Sequence, residues 1–350
     1  MKKAIAKTKN KIASGLTVLT TLTRRHLKMF FRNKLAFIFS LMVPTIIIII
    51  YIIFLRNLEI GAVDEILASY FDGIVDEGLA SRAHTLVDAW MLSGILGVSC
   101  ISVSFNTCYI IVADRESGAN RDFASAPIKR SSIIASYFLF NFIVTFIICT
   151  VILIFSLIYL GAIGAFSISF ANVMGIIGTM ILSIFSACLL TVFFASFITS
   201  SQVFNSMIAI ISAAIGFLIG AYLPNSMLPE GAQYVTMFFS GTYSTGMFRN
   251  LFLEGQFNDL LAYLNNSSLD PSSVNALLTD LESSFSMNLN FFNHDVNLWF
   301  MCLALVLFTL IYLVLNFAFA NKQLERTLLG KFRKRKQKSV NLKEEKEEEE

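Results

Sequence analysis

The side chains that could perform catalysis are few in this sequence, and none has the spacing of a known catalytic motif. His26, His84 and His294 lie far apart, so the paired histidines of a helical zinc site are missing. The stretch "GTYSTG" has Thr242 where a nucleophile elbow needs glycine. The stretch "LGKF" lacks the remaining residues of a phosphate-binding loop. We therefore expect no enzyme activity from this chain, and no metal or cofactor bound to it.

One short stretch, "VADRESGANRDFASAPIKRSS", concentrates the charge between Asp88 and Glu230. Its residues from Glu116 to Ala126 predict a short helix that ends before Pro127. Such a helix, with charges of both signs and the aromatic Phe123, is suited to docking on another protein. A solvated turn whose charges only fix membrane topology explains the same residues equally well.

The rest of the chain is apolar enough to indicate a membrane protein. Of its 350 residues 55% are hydrophobic and 15% charged, with a mean hydropathy of +0.68, whereas soluble domains carry roughly 25% charge. A helix needs about 20 apolar residues to cross a bilayer. We therefore predict an all-α integral membrane protein of six transmembrane helices within residues 35–320. The predicted spans cover residues 35–55, 89–113, 132–160, 172–199, 203–223 and 296–320.

The distribution of charge predicts which side each loop occupies. Of the 27 basic residues, 24 lie in residues 1–34, 114–130 and 321–350. The loops 56–88 and 224–295 hold fourteen acidic residues and three arginines. Because basic loops stay in the cytoplasm, both termini are expected there. This orientation requires an even number of spans, as counted.

The terminal segments have distinct compositions. Residues 1–34 form a basic segment, and Ser14–Lys34 has the amphipathic spacing of a helix lying in the cytoplasmic interface, although an ordinary basic flank is the alternative. Residues 321–350 are a basic block followed by an acidic one, so we expect disorder there. The basic block is suited to anionic headgroups of membrane lipids.

The segment 224–295 contains apolar pieces too short to cross, split near Gly241. They are typical of re-entrant or interfacial helices. Residues 256–295 are polar and predict a small extracellular cap, with one amphipathic piece around Val274–Leu281.

Small and polar residues within the predicted spans are candidates to line a transport pathway. The alternative for each is a hydrogen bond to a neighbouring helix or to its own backbone. Gly216 and Gly220 have the GxxxG spacing that permits close helix approach. The predicted span interiors lack ionisable residues, which weakens an ion-coupled mechanism. The candidates are Ser104, Asn106, Thr107, Asn205, Ser206 and Ser212.

The charged loop resembles that of type-2 ATP-binding-cassette (ABC) transporter permeases. Glu116-Ser117-Gly118 matches the glutamate-x-glycine after their second span, and Ala126-Pro127-Ile128-Lys129-Arg130 matches the turn into their third. A second match consists of Leu228-Pro229, Thr242-Tyr243 and Arg249, with Gly241 where the family usually has proline. The likeness covers roughly residues 14–325.

This resemblance implies a multi-pass permease subunit that pairs with itself or a similar subunit, and the charge pattern suggests a bacterial cell membrane. ATP and magnesium would be bound by two cytosolic ATPase partners, docked on the short coupling helix, and no nucleic acid is involved. The cargo would be exported unchanged and would be amphiphilic, drug-like, peptide or lipid-linked. A passive channel or ion-coupled carrier, or a membrane sensor or scaffold, remains the alternative. The implied docking residues are Glu116, Gly118, Arg121, Asp122, Phe123 and Pro127, and the implied re-entrant residues are Pro229, Gly241, Thr242, Tyr243 and Arg249.

Overall fold

The computed structural model is almost entirely helical. It describes residues 2–71, 75–119, 123, 128–224, 227–266, 270–287, 289–291 and 294–319. Six helices in these ranges are long and apolar enough to cross a membrane, which is the predicted number. We number them spans 1 to 6 in chain order: Ser40–Tyr70, Glu77–Glu116, Ser131–Ala162, Phe170–Ala195, Ser201–Leu218 and Leu298–Phe319. The predicted tail 321–350 lies outside the described residues.

Two spans are composite helices. Span 1 joins the helix Lys34–Ile50 to the helix Arg56–Tyr70 through a π-helical turn, Tyr51–Leu55. Span 2 joins Glu77–Thr107 to Tyr109–Glu116, with a break at Cys108. Both spans extend well past the uncharged runs in the sequence, because charged residues at their ends find partners inside the bundle.

Span 2 forms the centre of the bundle. Its most apolar window is 89% buried, whereas the equivalent windows of spans 1, 5 and 6 are 18%, 22% and 17% buried. Spans 3 and 4 both pack against span 2 and against each other. Spans 1, 5 and 6 therefore keep broad apolar faces uncovered in the single chain.

The basic amino-terminal segment is one long helix, Lys2–Arg32, which packs along span 3. Its buried face includes Leu22, His26 and Phe30. The ring centroids of Phe30 and Phe140 are 5.9 Å apart, which shows how closely this helix approaches span 3.

Between spans 5 and 6 the chain folds into three helices, Glu230–Thr236, Ser240–Leu264 and Pro271–Ser284, followed by an antiparallel hairpin of Leu289–Phe291 and His294–Val296. The helix Ser240–Leu264 packs along span 2. It continues beyond the predicted apolar pieces because Phe257, Leu260 and Leu264 remain buried. The predicted amphipathic piece lies in Pro271–Ser284.

The two glycines of the GxxxG spacing form a turn instead of a helix–helix contact within this chain. Span 5 ends at Leu218, and Gly220 has a φ of +67°, a left-handed conformation that favours glycine. The backbone N–H groups of Ala221 and Tyr222 both donate to the carbonyl of Gly216. The Tyr222 ring packs directly on Gly216. Because Gly216 has no side chain, the chain has room to fold back at this point.

Candidate functional site

Asp114, near the end of span 2, is buried and fixes the amino-terminal helix to the bundle. Its carboxylate accepts two hydrogen bonds from the Arg25 guanidinium, at 2.8 and 2.9 Å, and one from the Tyr137 hydroxyl at 2.8 Å. The carboxylate is almost fully enclosed, while the Arg25 side chain is one-third exposed. One acidic side chain therefore holds the amino-terminal helix and span 3 together.

His26 completes this buried group. Its ring stacks on Tyr137 at a centroid distance of 4.3 Å, and its Nδ1 lies 3.3 Å from an Arg25 nitrogen. Because Arg25 can only donate, Nδ1 accepts and the ring proton resides on Nε2. Burial lowers the pKa of His26 to about 4, although Asp114 opposes the change. The imidazole is therefore neutral at pH 7.

Arg115, the next residue, points to span 4. Its guanidinium donates to the carbonyls of Ala195, Ser196 and Ile198, where span 4 ends. The last carbonyls of a helix have no partner within the helix, and a cation there also complements the helix dipole. Arg115 therefore caps span 4.

Glu116 reaches the start of span 5. Its Oε2 accepts a hydrogen bond from the backbone N–H of Ser201 at 3.3 Å, which places a carboxylate at a helix amino terminus. Asp114, Arg115 and Glu116 thus contact the amino-terminal helix, span 4 and span 5 in turn. We call these three consecutive residues the charged junction.

The charged loop begins directly after this junction. Gly118, with a φ of +88°, turns the chain away from span 2. The Phe123 ring lies against the Arg25 guanidinium, with 5.1 Å between the guanidinium carbon and the ring centroid. Arg121, Asp122 and Pro127, which carry most of the predicted coupling helix, lie outside the described residues. Of the implied docking residues, Glu116 therefore belongs to the junction, and Phe123 lies against Arg25, which binds Asp114 of the junction.

A groove of about 520 Å³ lies between spans 1, 2 and 5. Three of the predicted pathway residues line it together: Asn106, Asn205 and Ser212. The apolar part of its wall includes Met42 and Ile46 of span 1. The groove therefore combines hydrophobic walls with separated polar groups, as many small-molecule sites do.

The other three pathway candidates lie elsewhere. Ser104 is buried and shares a hydrogen bond with Thr191 of span 4 at 2.8 Å. Thr107 is buried and donates to the Val103 carbonyl in its own helix. Ser206 is exposed and donates to the Gln202 carbonyl. Their polar groups are satisfied locally, which was the alternative considered for each.

A buried amide that belongs to no sequence motif joins three of the spans. Asn141 of span 3 donates to Ser104, Cys108 and Thr191 at 2.9, 3.0 and 3.1 Å, which joins spans 2, 3 and 4. The only available signal was an amide in a long apolar run.

At the opposite end of span 2, the Asp88 carboxylate accepts two hydrogen bonds from Arg56, at 2.9 and 3.0 Å. It also accepts one each from Tyr51 and Tyr159 at 3.2 Å. This network joins spans 1, 2 and 3, and mirrors the role of Asp114.

Three of the residues predicted to form a re-entrant region, Gly241, Thr242 and Tyr243, lie at the start of the helix Ser240–Leu264. The Thr242 hydroxyl donates to the Thr236 carbonyl, and the Tyr243 hydroxyl donates to the Met237 carbonyl at 2.9 Å. Gly241 packs between Ile101 of span 2 and Ile219. Pro229 precedes the first of the three helices.

Arg249, also in that predicted set, is fully buried. Its guanidinium donates to the Gly220 carbonyl and lies over the Trp90 ring, 5.0 Å from the centroid. It therefore connects the turn after span 5 with span 2.

Among the described residues, no group of three or more histidine, cysteine, aspartate or glutamate side chains is placed to hold a metal ion. The five cysteines are free thiols, four of them buried. Within these ranges, the two candidate functional features are the groove between spans 1, 2 and 5 and the charged junction that precedes the charged loop.

Comparison with known proteins identifies the family of the chain. Residues 79–318 match the family model described as ABC-2 family transporter protein. A search of curated proteins found no match. The matched region includes spans 3 to 5, the charged junction, the helix Ser240–Leu264 and nearly all of spans 2 and 6. The chain is therefore a member of the ABC-2 transporter permease family, whose proteins are the transmembrane subunits of ABC transporters.

Proposed function

We propose that this chain is the membrane subunit of an ATP-driven exporter of amphiphilic molecules. The observation that carries this proposal is the groove between spans 1, 2 and 5. Its walls mix apolar residues with the side-chain amides of Asn106 and Asn205. Such a surface accommodates a molecule with both hydrophobic and hydrogen-bonding parts, which reaches it from the bilayer. A drug-like, peptide or lipid-linked compound has this chemistry.

The charged junction supports energy transfer from a separate ATPase. Its three residues contact the amino-terminal helix, span 4 and span 5, and the charged loop follows immediately. A partner that moves this loop would move several helices together. In this proposal, two cytosolic ATPase subunits bind the loop and supply ATP hydrolysis, with the permease arranged as a dimer and both termini cytoplasmic.

Span 5 provides a matched pair of variants for the test. Asn205 and Ser206 are neighbours and both are exposed, but only Asn205 lines the groove. In inside-out membrane vesicles supplied with ATP and a fluorescent amphiphile, Asn205→Trp is expected to reduce uptake at least tenfold. Ser206→Trp should retain uptake close to that of the wild type, because its added bulk lies outside the groove.

The same vesicles separate this proposal from an ion-coupled carrier or channel. Export driven by ATP should continue after an ionophore collapses the ion gradients, and should stop when ATP is omitted. Uptake that follows the ion gradient and ignores ATP would contradict the proposal. Equal uptake by the Asn205→Trp and Ser206→Trp proteins would show that the groove is not part of the transport pathway.

A further inference from the structure

A cavity of about 390 Å³ lies at the end of the bundle opposite the charged loop. The helix Arg56–Tyr70 contributes most of its described wall, and Met227 and the end of the helix Pro271–Ser284 contribute the rest. Its volume falls in the range of about 300–1,000 Å³ that is typical of small-molecule sites. The cavity and the groove between spans 1, 2 and 5 share no described lining residue, so they are separate sites.

The wall of this cavity combines an apolar surface with two carboxylates. Val63, Ile66 and Phe285 provide apolar surface, and Glu59 and Glu65 provide the charges. Glu65 lies six positions after Glu59, which is about 9 Å along a helix that rises 1.5 Å per residue. Glu59 is half-buried, whereas Glu65 is exposed. A ligand can therefore place a charged group beside Glu59 and an apolar group along Ile66.

The two glutamates of the cavity have no partner within the described fold. Among the described residues, no hydrogen bond or ion pair to either carboxylate is found, and neither carboxylate is enclosed. Asp64 of the same helix, in contrast, contacts His84 at 2.7 Å. A half-buried carboxylate without a partner is unfavourable, and a cation beside Glu59 would offset that cost.

The chain itself offers no free cation at this end of the bundle. The two loops that hold fourteen acidic residues contain three arginines and no lysine. Arg56 and Arg82 form ion pairs with aspartates. Arg249 attracts Glu59 electrostatically, but the two form no ion pair, and the Arg249 guanidinium donates to the Gly220 carbonyl. A cation in the cavity would therefore belong to a ligand.

The spacing of the two carboxylates disfavours a chelated metal ion. Oxygen ligands lie about 2.3–2.6 Å from a calcium ion, whereas these glutamates are nearly two helical turns apart. No group of three or more potential metal-ligating side chains occurs among the described residues. The apolar surface favours an organic cation instead, because it would remove the hydrocarbon part of such a molecule from water.

We propose that this cavity binds an amphiphilic organic cation. Its ammonium group lies beside Glu59, its apolar part packs against Ile66 and Phe285, and Glu65 adds a weaker attraction at the exposed side. Anions are repelled by the same carboxylates, and neutral amphiphiles lack the pairing with Glu59. This binding does not depend on the proposed function, because the cavity is separate from the groove.

Tryptophan fluorescence provides the readout for a test on the full-length protein. The indole of Trp90 donates to the carbonyl of Phe285, which lines the cavity. The other tryptophan, Trp299, is 82% exposed and is replaced by phenylalanine, so that Trp90 alone reports. The protein is placed in nanodiscs of zwitterionic phosphatidylcholine and titrated with decyltrimethylammonium, which should give a saturable change.

Three further probes identify what the cavity recognises. Decyl sulfate, which has the same chain and the opposite charge, should give no saturable change. Tetramethylammonium, which lacks the chain, should bind at least about tenfold more weakly, since each buried methylene contributes about 0.8 kcal/mol. Adding phosphatidylethanolamine to the nanodiscs should leave the titration unchanged. Competition by this lipid would overturn the proposal, because it would identify a lipid amine as the occupant.

Matched variants locate the binding site. Glu59→Gln should raise the dissociation constant about tenfold, and Glu65→Gln about threefold, because an exposed charge is better screened. Glu282→Gln, which removes an exposed carboxylate that does not line the cavity, should have no effect. Ala62→Phe narrows the cavity and should abolish binding, whereas Leu58→Phe, at an exposed position outside it, should preserve binding.

The unfolding midpoint of each variant without ligand shows whether it is folded. Equal binding of decyl sulfate and decyltrimethylammonium would overturn the proposal. So would an unchanged dissociation constant in folded Glu59→Gln or Ala62→Phe protein. None of these readouts needs ATP or transport, so failure of this proposal and failure of the proposed function are distinguishable.

Discussion

Arg25 and Asp114 form a two-point ion pair across 89 residues of sequence, with N–O distances of 2.8 and 2.9 Å. The pair lies where the amino-terminal helix meets span 2, next to the charged loop. It therefore determines how that helix is held against the bundle. Four experiments test this arrangement and the packing of the bundle.

Replacing Asp114 with asparagine keeps the size of the side chain but removes its charge. We expect a loss of about 2 kcal/mol in stability, because the charge-assisted bonds from Arg25 weaken. The loss is smaller than for a fully buried pair, since Arg25 is 34% exposed. Thermal unfolding of the purified protein measures it. Asp280→Asn, which alters an exposed hydrogen bond to Tyr70, is the control. Equal stability of the two variants would show that the Arg25–Asp114 pair contributes nothing measurable.

The cap on span 4 can be tested locally. Arg115→Met preserves most of the side-chain length but removes the donors to the carbonyls of Ala195, Ser196 and Ile198. Hydrogen exchange should therefore accelerate at least tenfold in the segment 196–200, where the chain turns between spans 4 and 5. Arg82→Met, which breaks a more exposed ion pair with Asp259, should leave this segment unchanged. Unaltered exchange in Arg115→Met would contradict the capping role.

Close packing of span 2 is tested at Gly94, with Gly178 of span 4 as the control. A Cβ atom at Gly94 would lie 2.7 Å from the carbonyl oxygen of Ala221, which is backbone and cannot rotate away. Gly94→Ala should therefore destabilise the protein by about 2 kcal/mol. At Gly178 nothing lies within 4 Å, so Gly178→Ala should be neutral or stabilising by up to about 1 kcal/mol. The measurement is the unfolding midpoint of both variants, and a tolerated Gly94→Ala would contradict this packing.

Acidification provides a test of His26. Because burial lowers its folded-state pKa to about 4, while an exposed histidine titrates near 6.5, protonation favours the unfolded chain. Its contribution is present above pH 6.5 and is lost as the pH falls toward 4. Between pH 7 and pH 5, the free energy of unfolding should fall by about 2 kcal/mol more in the wild type than in a His26→Gln variant. Denaturant unfolding at both pH values measures this difference.

The control for this experiment is Thr20→Ala, at an exposed position on the same helix, where the side chain carries no titratable group. This variant should follow the wild-type pH profile. If the stability of His26→Gln has the same pH profile as that of the wild type, protonation of His26 does not cause the loss of stability at low pH.

The sequence predicted the six spans because length and lack of charge are local properties of each segment. The partners of Asp114 and Arg115 could not be predicted in this way. Both residues were interpreted as part of a charged loop, yet the fold buries them against Arg25 and the end of span 4, far away in the chain.

Among the pathway candidates, residue type was also insufficient. Asn205 and Ser206 are adjacent and both polar, but only Asn205 lines the groove, because the two project from different faces of span 5. Asn141 was not predicted from the sequence, because nothing near it in the chain indicates its partners. Its hydrogen bonds to spans 2 and 4 depend on how three helices pack, and its own sequence surroundings are uniformly apolar.

The most direct test of the account is the composition of the complex purified from its native membrane. The tagged full-length chain, extracted in a mild detergent, should retain a cytosolic subunit that contains a phosphate-binding loop, in equimolar amount. That complex should hydrolyse ATP, and Glu116→Arg should reduce recovery of the subunit while the chain still inserts normally. A chain that exports its cargo with no nucleotide-hydrolysing subunit present would contradict the account.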